Sequence, residues 1–205
     1  MTVRRSLAAT GLAMALAGCA VSGTDGLTPQ QKAQVKRVEV CLNDPTPVEG
    51  SFIQRGPQQN GGAGHFRYAP GSLGLDYTVP HAMTLRASGA HLVLDDSQTG
   101  AVTRLNLSRN PLGLLLHVPV RFDGKIRVTD IQTALGASQI SLAQADNPSQ
   151  GLLTLRFLDR DNRLQLSSLD GVDARGNRIL IQLSDVSQSS DVENQSDSVG
   201  TAPKN

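Results

Sequence analysis

Between residues 64 and 95, short apolar runs alternate with glycine and proline turns, and this rhythm restricts the fold more than any other feature. The runs are His65–Ala69, Leu73–Thr78, Ala82–Ala87 and His91–Leu94. The turns between them are Pro70-Gly71, Val79-Pro80 and Ser88-Gly89. Such runs are short for helices, and turn residues at this spacing are typical of antiparallel strands. The sequence therefore predicts a meander of β-strands.

The second and third runs place their apolar side chains on one face. Strand side chains alternate between the two faces of a sheet, so Leu73, Leu75 and Tyr77 share a face, as do Met83 and Leu85. The predicted sheet has one large apolar face, which we take as the candidate site of function.

A helix is predicted before the strands and a short one within them. Thr28, Pro29 and Gln31 form a helix start with a capping box, and apolar residues follow at helical spacing up to Leu42. The uncharged run Leu112–Leu116 follows Asn110-Pro111; a proline in the first turn favours a short helix over a buried strand. Further strands are predicted at Val48–Arg55, Ala101–Leu107, Lys125–Thr133, Gln139–Ala145, Gly151–Asp159, Arg163–Leu169 and Arg178–Val186.

The N-terminus is typical of a bacterial lipoprotein signal. Arg4 and Arg5 precede an apolar stretch too short to span a bilayer, which ends in Leu16-Ala17-Gly18-Cys19. This ending resembles a lipobox, in which the cysteine is acylated and becomes the first mature residue; the alternative is an ordinary signal peptide with a chance cysteine. Ala20 is not the aspartate of inner-membrane retention known in enteric bacteria. We therefore expect a lipid anchor on the periplasmic side of the outer membrane, with the inner membrane as the alternative.

The predicted organisation has four parts. Residues 1–18 are the signal peptide, 19–27 a tether, 28–186 the folded domain and 187–205 a disordered tail rich in Ser, Asp, Asn and Gln. Removing Arg4 and Arg5 with the leader lowers the formal charge from +1 to −1. A chain so close to neutrality lacks the basic surface that nucleic-acid binding requires, so no nucleic-acid partner is expected.

Residue patterns that carry catalysis or bind metals do not stand out. The four histidines, at 65, 81, 91 and 117, are not at ligand spacing, and Ser72 does not lie in a Gly-x-Ser-x-Gly elbow. We expect no enzyme activity, cofactor or metal. Cys41 is interpreted as a buried structural thiol, with an intermolecular disulfide as the minor alternative.

An ordered set of segments resembles the LolA family of outer-membrane lipoprotein carriers, especially its alphaproteobacterial branch. The segments are Gly50–Gln54, Gly64–Gly71, Leu75–Pro80, Ser88–Asp96, Asn110–Leu116, Leu169–Gly171 and Asp173–Gly176. The resemblance implies a mainly β (α+β) fold, an incompletely closed antiparallel β-barrel or half-barrel with a helical lid over an apolar cavity. The lipobox adds a trait of LolB, the anchored acceptor with a similar fold.

The resemblance also implies a binding site. The candidate residues for acyl-chain binding are Leu73, Leu75, Tyr77, Met83 and Leu85, with Leu114 and Leu115 as lid or rim; the alternative is a closed core. The family often has an arginine before the Pro-Gly that latches the lid, where this chain has Ala69. Arg67, on the same strand, is the candidate substitute; a solvated surface residue is the alternative.

The expected function is that of a periplasmic lipoprotein carrier or acceptor. Its cargo would be the acyl chains of lipoproteins, and its partners another Lol-type carrier or a release complex and, through the lipid anchor, the membrane. The alternative is an envelope lipoprotein that acts as a structural or lipid-sensing interaction module without cargo transfer. An open apolar pocket would favour the carrier, whereas a filled barrel would favour the interaction module.

Overall fold

A computed structural model of the chain describes residues 23–57, 61–108 and 110–188. It contains one α-helix, α1 (Pro29–Leu42), and two 3-10 helices, Pro111–Leu115 and Pro148–Gln150, within those ranges. The strands are β1 (Val48–Arg55), β2 (Gly62–Ala69), β3 (Ser72–Val79), β4 (Met83–Ser88), β5 (His91–Asp96), β6 (Ala101–Asn106), β7 (Ile126–Ala134), β8 (Ala137–Gln144), β9 (Gly151–Arg160), β10 (Arg163–Asp173) and β11 (Arg178–Gln188).

The eleven strands form one antiparallel sheet in the order β6-β5-β4-β3-β2-β1-β11-β10-β9-β8-β7. Strands β6 and β7 are the two edges of this sheet. The ordinary strand twist, together with bulges in β1, β7 and β10, curves such a sheet into a half-barrel. The predicted fold class, a mainly β, incompletely closed antiparallel barrel, is confirmed.

Helix α1 begins with the predicted capping box. The Thr28 hydroxyl accepts a hydrogen bond from the Gln31 N–H at 3.2 Å, and the Gln31 side chain accepts one from the Thr28 N–H at 2.9 Å. Val35, Val38 and Leu42 form the buried stripe that packs into the core. Helix formation and burial therefore follow from the same periodicity.

Side chains on either side of the buried stripe tie α1 to strand ends. The Arg37 guanidinium donates two hydrogen bonds to the Asp159 carboxylate of β9, at 2.8 and 2.9 Å. Gln34 donates to the Ser138 hydroxyl of β8 at 2.9 Å, and the Leu42 carbonyl accepts from the Tyr68 hydroxyl of β2 at 3.0 Å. The helix thus lies across the end of the sheet where β8 begins and β9 and β2 end.

The connection from β6 to β7 crosses the concave face and completes the core. Its predicted short helix is present in 3-10 form over Pro111–Leu115, where the Asn110 side chain caps the Leu112 N–H at 2.9 Å. This 3-10 helix packs against β8, β9 and β10. Farther along, the Phe122 N–H donates to the Glu39 carboxylate of α1 at 2.8 Å. Helix α1 and this connection therefore pack over part of the concave face formed by β8–β10.

The described structure extends past both ends of the predicted folded domain, 28–186. The tether was expected to extend to residue 27, but Gly23 exchanges backbone hydrogen bonds with β7, donating to the Ile126 carbonyl and accepting from the Val128 N–H. The tail was expected to begin at residue 187, but β11 continues to Gln188 because Glu49 and Val48 of β1 still pair with it. The signal peptide, Cys19, residues 58–60 and the tail from 189 onward lie outside the described residues.

No helix in the described ranges is both long enough and apolar enough to span a membrane.

Candidate functional site

The concave face formed by β3–β6 is not filled by the helix, and an apolar cavity of about 610 Å³ lies against it. One wall carries the inward side chains of four consecutive strands. They are Leu73, Leu75 and Tyr77 of β3, Met83 and Leu85 of β4, Leu92 and Leu94 of β5, and Thr103 and Leu105 of β6. These residues come together because directly paired positions of neighbouring strands point to the same face, as in the pairs Leu75–Leu85 and Leu85–Leu94.

A second wall comes from strands that are far away in sequence. Leu153 of β9, Leu169 and Gly171 of β10, and Ile179 and Ile181 of β11 face the first wall, because the sheet curves round between them. Leu105 and Ile179 are 53% and 44% exposed although they line the cavity, so the cavity is open to solvent. Large, solvent-accessible apolar surface on a single chain marks a binding site for an apolar ligand or partner.

Tyr77 presents an apolar ring to this cavity with its hydroxyl already bonded. The hydroxyl donates to Gln54 Oε1 at 2.6 Å, and the ring stacks edge-on against Phe52 with centroids 4.9 Å apart. Burial raises the pKa of Tyr77 to about 12. The phenol is therefore neutral at physiological pH, and this wall carries no charge.

The lining residues His81 and Asp173 lie in or next to turns at one end of the strands. His81 Nε2 lies 3.0 Å from the Asp96 carboxylate, whose Oδ1 also accepts from the N–H groups of Gln98 and Thr99. Desolvation raises the pKa of Asp96, but the hydrogen bonds from these N–H groups outweigh it and hold the pKa below its ordinary value. Asp173 likewise accepts from its own turn. These polar groups are therefore held by contacts within and between turns, and the walls between them are apolar.

The structure brings together five of the seven residues predicted to bind acyl chains: Leu73, Leu75, Tyr77, Met83 and Leu85 line one wall. Leu114 and Leu115, predicted as lid or rim, do not. Both are buried in the core, and Leu115 borders only a void of about 10 Å³, too small for a ligand. Their neighbour Leu112 reaches the cavity instead, because successive residues of a helical turn point in different directions.

The predicted helical lid is in a different place. Among the described residues that line the cavity, α1 contributes none. Its apolar stripe is used on the packed side of the half-barrel. The helix therefore closes one end of the core, and the crossing segment with Leu112 borders the cavity.

Arg67 does not occupy the position of a latch. It alternates with the buried Phe66 and Tyr68 in β2, so its side chain lies on the convex face, where it pairs with Glu49 at 3.6 Å. A latch to the crossing segment requires a side chain on the concave face. The surface alternative for Arg67 is therefore the correct one.

Sequence reasoning missed most of the cavity lining. Leu92 and Leu94 carry the same alternation signal as β3 and could have been included with it. Ile179 and Ile181 also share a face in the sequence, but nothing local indicates that β11 stands opposite β4 and β5. Cys41 is partly buried as predicted; its thiol donates to the Leu164 carbonyl at 3.2 Å.

A model of the family described as outer membrane lipoprotein carrier protein LolA matches residues 45–196. The chain belongs to the LolA family. The predicted resemblance is thus confirmed at the level of the family, and the match spans β1 to β11 but begins after α1. None of the curated proteins compared with this LolA-family chain matches it.

Solved structures similar to this LolA-family protein are distant in sequence. An uncharacterized conserved protein from Thermus thermophilus is 10% identical, with a TM-score of 0.46 over 78% of this chain and 88% of that one. A LolA superfamily protein from Nitrosomonas europaea is 10% identical, with a TM-score of 0.40 over 78% and 94%. The Mycobacterium tuberculosis lipoprotein LppX is 12% identical, with a TM-score of 0.40 over 82% and 100%.

Proposed function

We propose that this protein shelters the acyl chains of lipoproteins in the cavity between β3–β6 and β9–β11 while those lipoproteins are delivered to the outer membrane. The observation that carries the proposal is the open apolar cavity of about 610 Å³ in a chain whose family is that of lipoprotein carriers. A filled half-barrel would have favoured an interaction module without cargo.

Binding of this kind needs no covalent chemistry. Each methylene group moved from water into an apolar site contributes about 0.8 kcal/mol, so a long chain gains enough free energy to leave water. Release then requires a receiving cavity or bilayer that holds the chain more favourably. Leu85 and Leu94 on one wall and Ile179 and Ile181 on the other supply the apolar contacts.

The lipobox at Leu16–Cys19 supports a stationary role. A protein held by two or more acyl chains stays on its membrane, whereas a single chain gives only reversible attachment. We therefore place the protein at one membrane, on the periplasmic side of the outer membrane. There it would accept lipoproteins from a soluble Lol-type carrier and pass them to the bilayer.

Reconstitution with a loaded soluble carrier tests this function. The chain from Ala20 onward, which keeps every described residue, is mixed with the loaded carrier, and cargo is followed by pull-down. Leu105→Asp should reduce transfer about tenfold or more, because a polar group left unpaired against hydrocarbon costs roughly 1–3 kcal/mol. Leu105 is half-exposed, so the substitution leaves the fold intact.

Ile53→Asp is the matched control. Ile53 is 52% exposed, almost the same as Leu105 at 53%, but alternates with the buried Phe52 and lies on the convex face. The Ile53→Asp variant should accept cargo as well as the wild type does. Equal loss in both variants, or no movement of cargo from any donor to the wild type, would show that the cavity is not an acceptor site.

A further inference from the structure

We infer that Leu112 is the floor of the cavity and limits the length of the acyl chain that the cavity can enclose. This inference rests on the proposed function and specifies its ligand.

Leu112 separates this cavity from the packed core. Among the described residues, five border both the cavity and the void of about 10 Å³ beneath it: Leu73, Leu75, Leu112, Leu169 and Ile181. Four of these are part of the sheet walls. Leu112 alone comes from the segment that crosses between the walls, so its side chain limits how deep a ligand can go.

The position of Leu112 is set by its neighbours. Its N–H donates to the Asn110 side chain at 2.9 Å, and the Gly113 N–H donates to the Asn110 carbonyl at 2.9 Å. A Cβ at Gly113 would overlap the Leu107 carbonyl, so this glycine allows the 3-10 helix to lie directly against the end of β6. The floor is therefore held by hydrogen bonds and close packing.

A fixed floor has a measurable consequence for chain length. Each further methylene strengthens binding about fourfold until the end of the chain reaches Leu112, after which affinity stops rising. Leu112→Ala removes three carbon atoms and should move that limit to chains about three carbons longer, because the vacated space is only partly closed by relaxation. Leu112→Phe should move the limit about three carbons in the opposite direction.

The experiment uses the chain from Ala20 onward and saturated fatty acids from about 10 to about 24 carbons, which compete with a fluorescent fatty acid. Leu114→Ala is the control, since Leu114 lies in the same 3-10 helix and is buried without bordering the cavity. It should lower stability without moving the length limit.

The outcomes separate the inference from the proposed function. A wild type that binds no fatty acid contradicts both. A wild type that binds fatty acids with the same length limit in Leu112→Ala and Leu112→Phe contradicts only the role of Leu112.

Discussion

At the scale of single residues, burial raises the pKa of a thiol and of phenols in this domain, so these groups keep their protons. Burial raises the pKa of the Cys41 thiol from 9.0 to about 11 and that of the Tyr77 phenol from 10.0 to about 12. It also raises the pKa of Tyr68, whose hydroxyl donates to the Leu42 carbonyl. In each case the low-polarity surroundings disfavour the anion.

These shifts predict a loss of stability at alkaline pH. The folded state holds these protons more strongly than the unfolded state, so the contribution of Cys41 is complete below pH 9.0 and is lost as pH rises toward about 11. We expect it to be on the order of 1–2 kcal/mol, with about 2–4 °C of melting temperature for each kcal/mol. Circular dichroism melts across this range measure the effect. In Cys41→Ala the decline should begin about one pH unit higher, near pH 10.0, where Tyr77 starts to ionise in the unfolded chain; superimposable curves would contradict the assignment.

At the scale of elements, α1 is attached to the sheet by a bidentate ion pair between Arg37 and Asp159. The same guanidinium donates to the Asn162 carbonyl at 3.2 Å. The hydrogen bonds from Arg37 lower the pKa of Asp159 below its ordinary value. A planar guanidinium suits such a paired contact better than a lysine would.

Breaking this attachment should affect stability but not binding. Because the pKa of Asp159 is depressed in the fold, its contribution is present above pH 3.8 and is lost as pH falls through the lower folded value. Arg37→Ala should lower the melting temperature by a few degrees at neutral pH and weaken its dependence on acid. Arg67→Ala removes an exposed pair with Glu49 and should change little. Fatty-acid affinity should be unchanged in both variants, since α1 does not line the cavity; a loss in Arg37→Ala would restore the lid role for the helix.

At the scale of the whole molecule, the half-barrel is filled on one side and open on the other. Gly23 is fixed to β7 by two backbone hydrogen bonds. The chain from Cys19 to Gly23 spans at most about 14 Å even when fully extended. An acyl anchor on Cys19 would therefore keep β7 close to the membrane surface.

Acylation of Cys19 can be tested directly. A palmitate analogue fed to cells should label the wild type. The labelled protein should be found in the membrane fraction, because two or more chains anchor a protein stably. Cys19→Ser should be unlabelled and should leave that fraction. Label that persists in Cys19→Ser, or a mature protein that starts at another residue, would contradict the lipobox interpretation.

Much of the fold was predictable from the sequence because its signals are local. Turn residues such as Pro70-Gly71 and Ser88-Gly89 mark strand ends, and alternation in β3 identifies Leu73, Leu75 and Tyr77 as one face. The capping box at Thr28 places the start of α1. Each signal depends on residues a few positions apart, where backbone geometry alone decides which side chains are neighbours.

The tertiary structure alone decided which part of the apolar face is covered. Helix α1 and the crossing segment could have packed over β3–β6; they pack over β8–β10, which contribute Ile140, Leu142 and Leu155 to the same core. That choice places Leu112 rather than Leu114 at the cavity. It depends on contacts between residues more than a hundred positions apart, such as Gln34 with Ser138. Periodicity indicates which face of an element is apolar, but long-range packing determines whether that face becomes core or cavity.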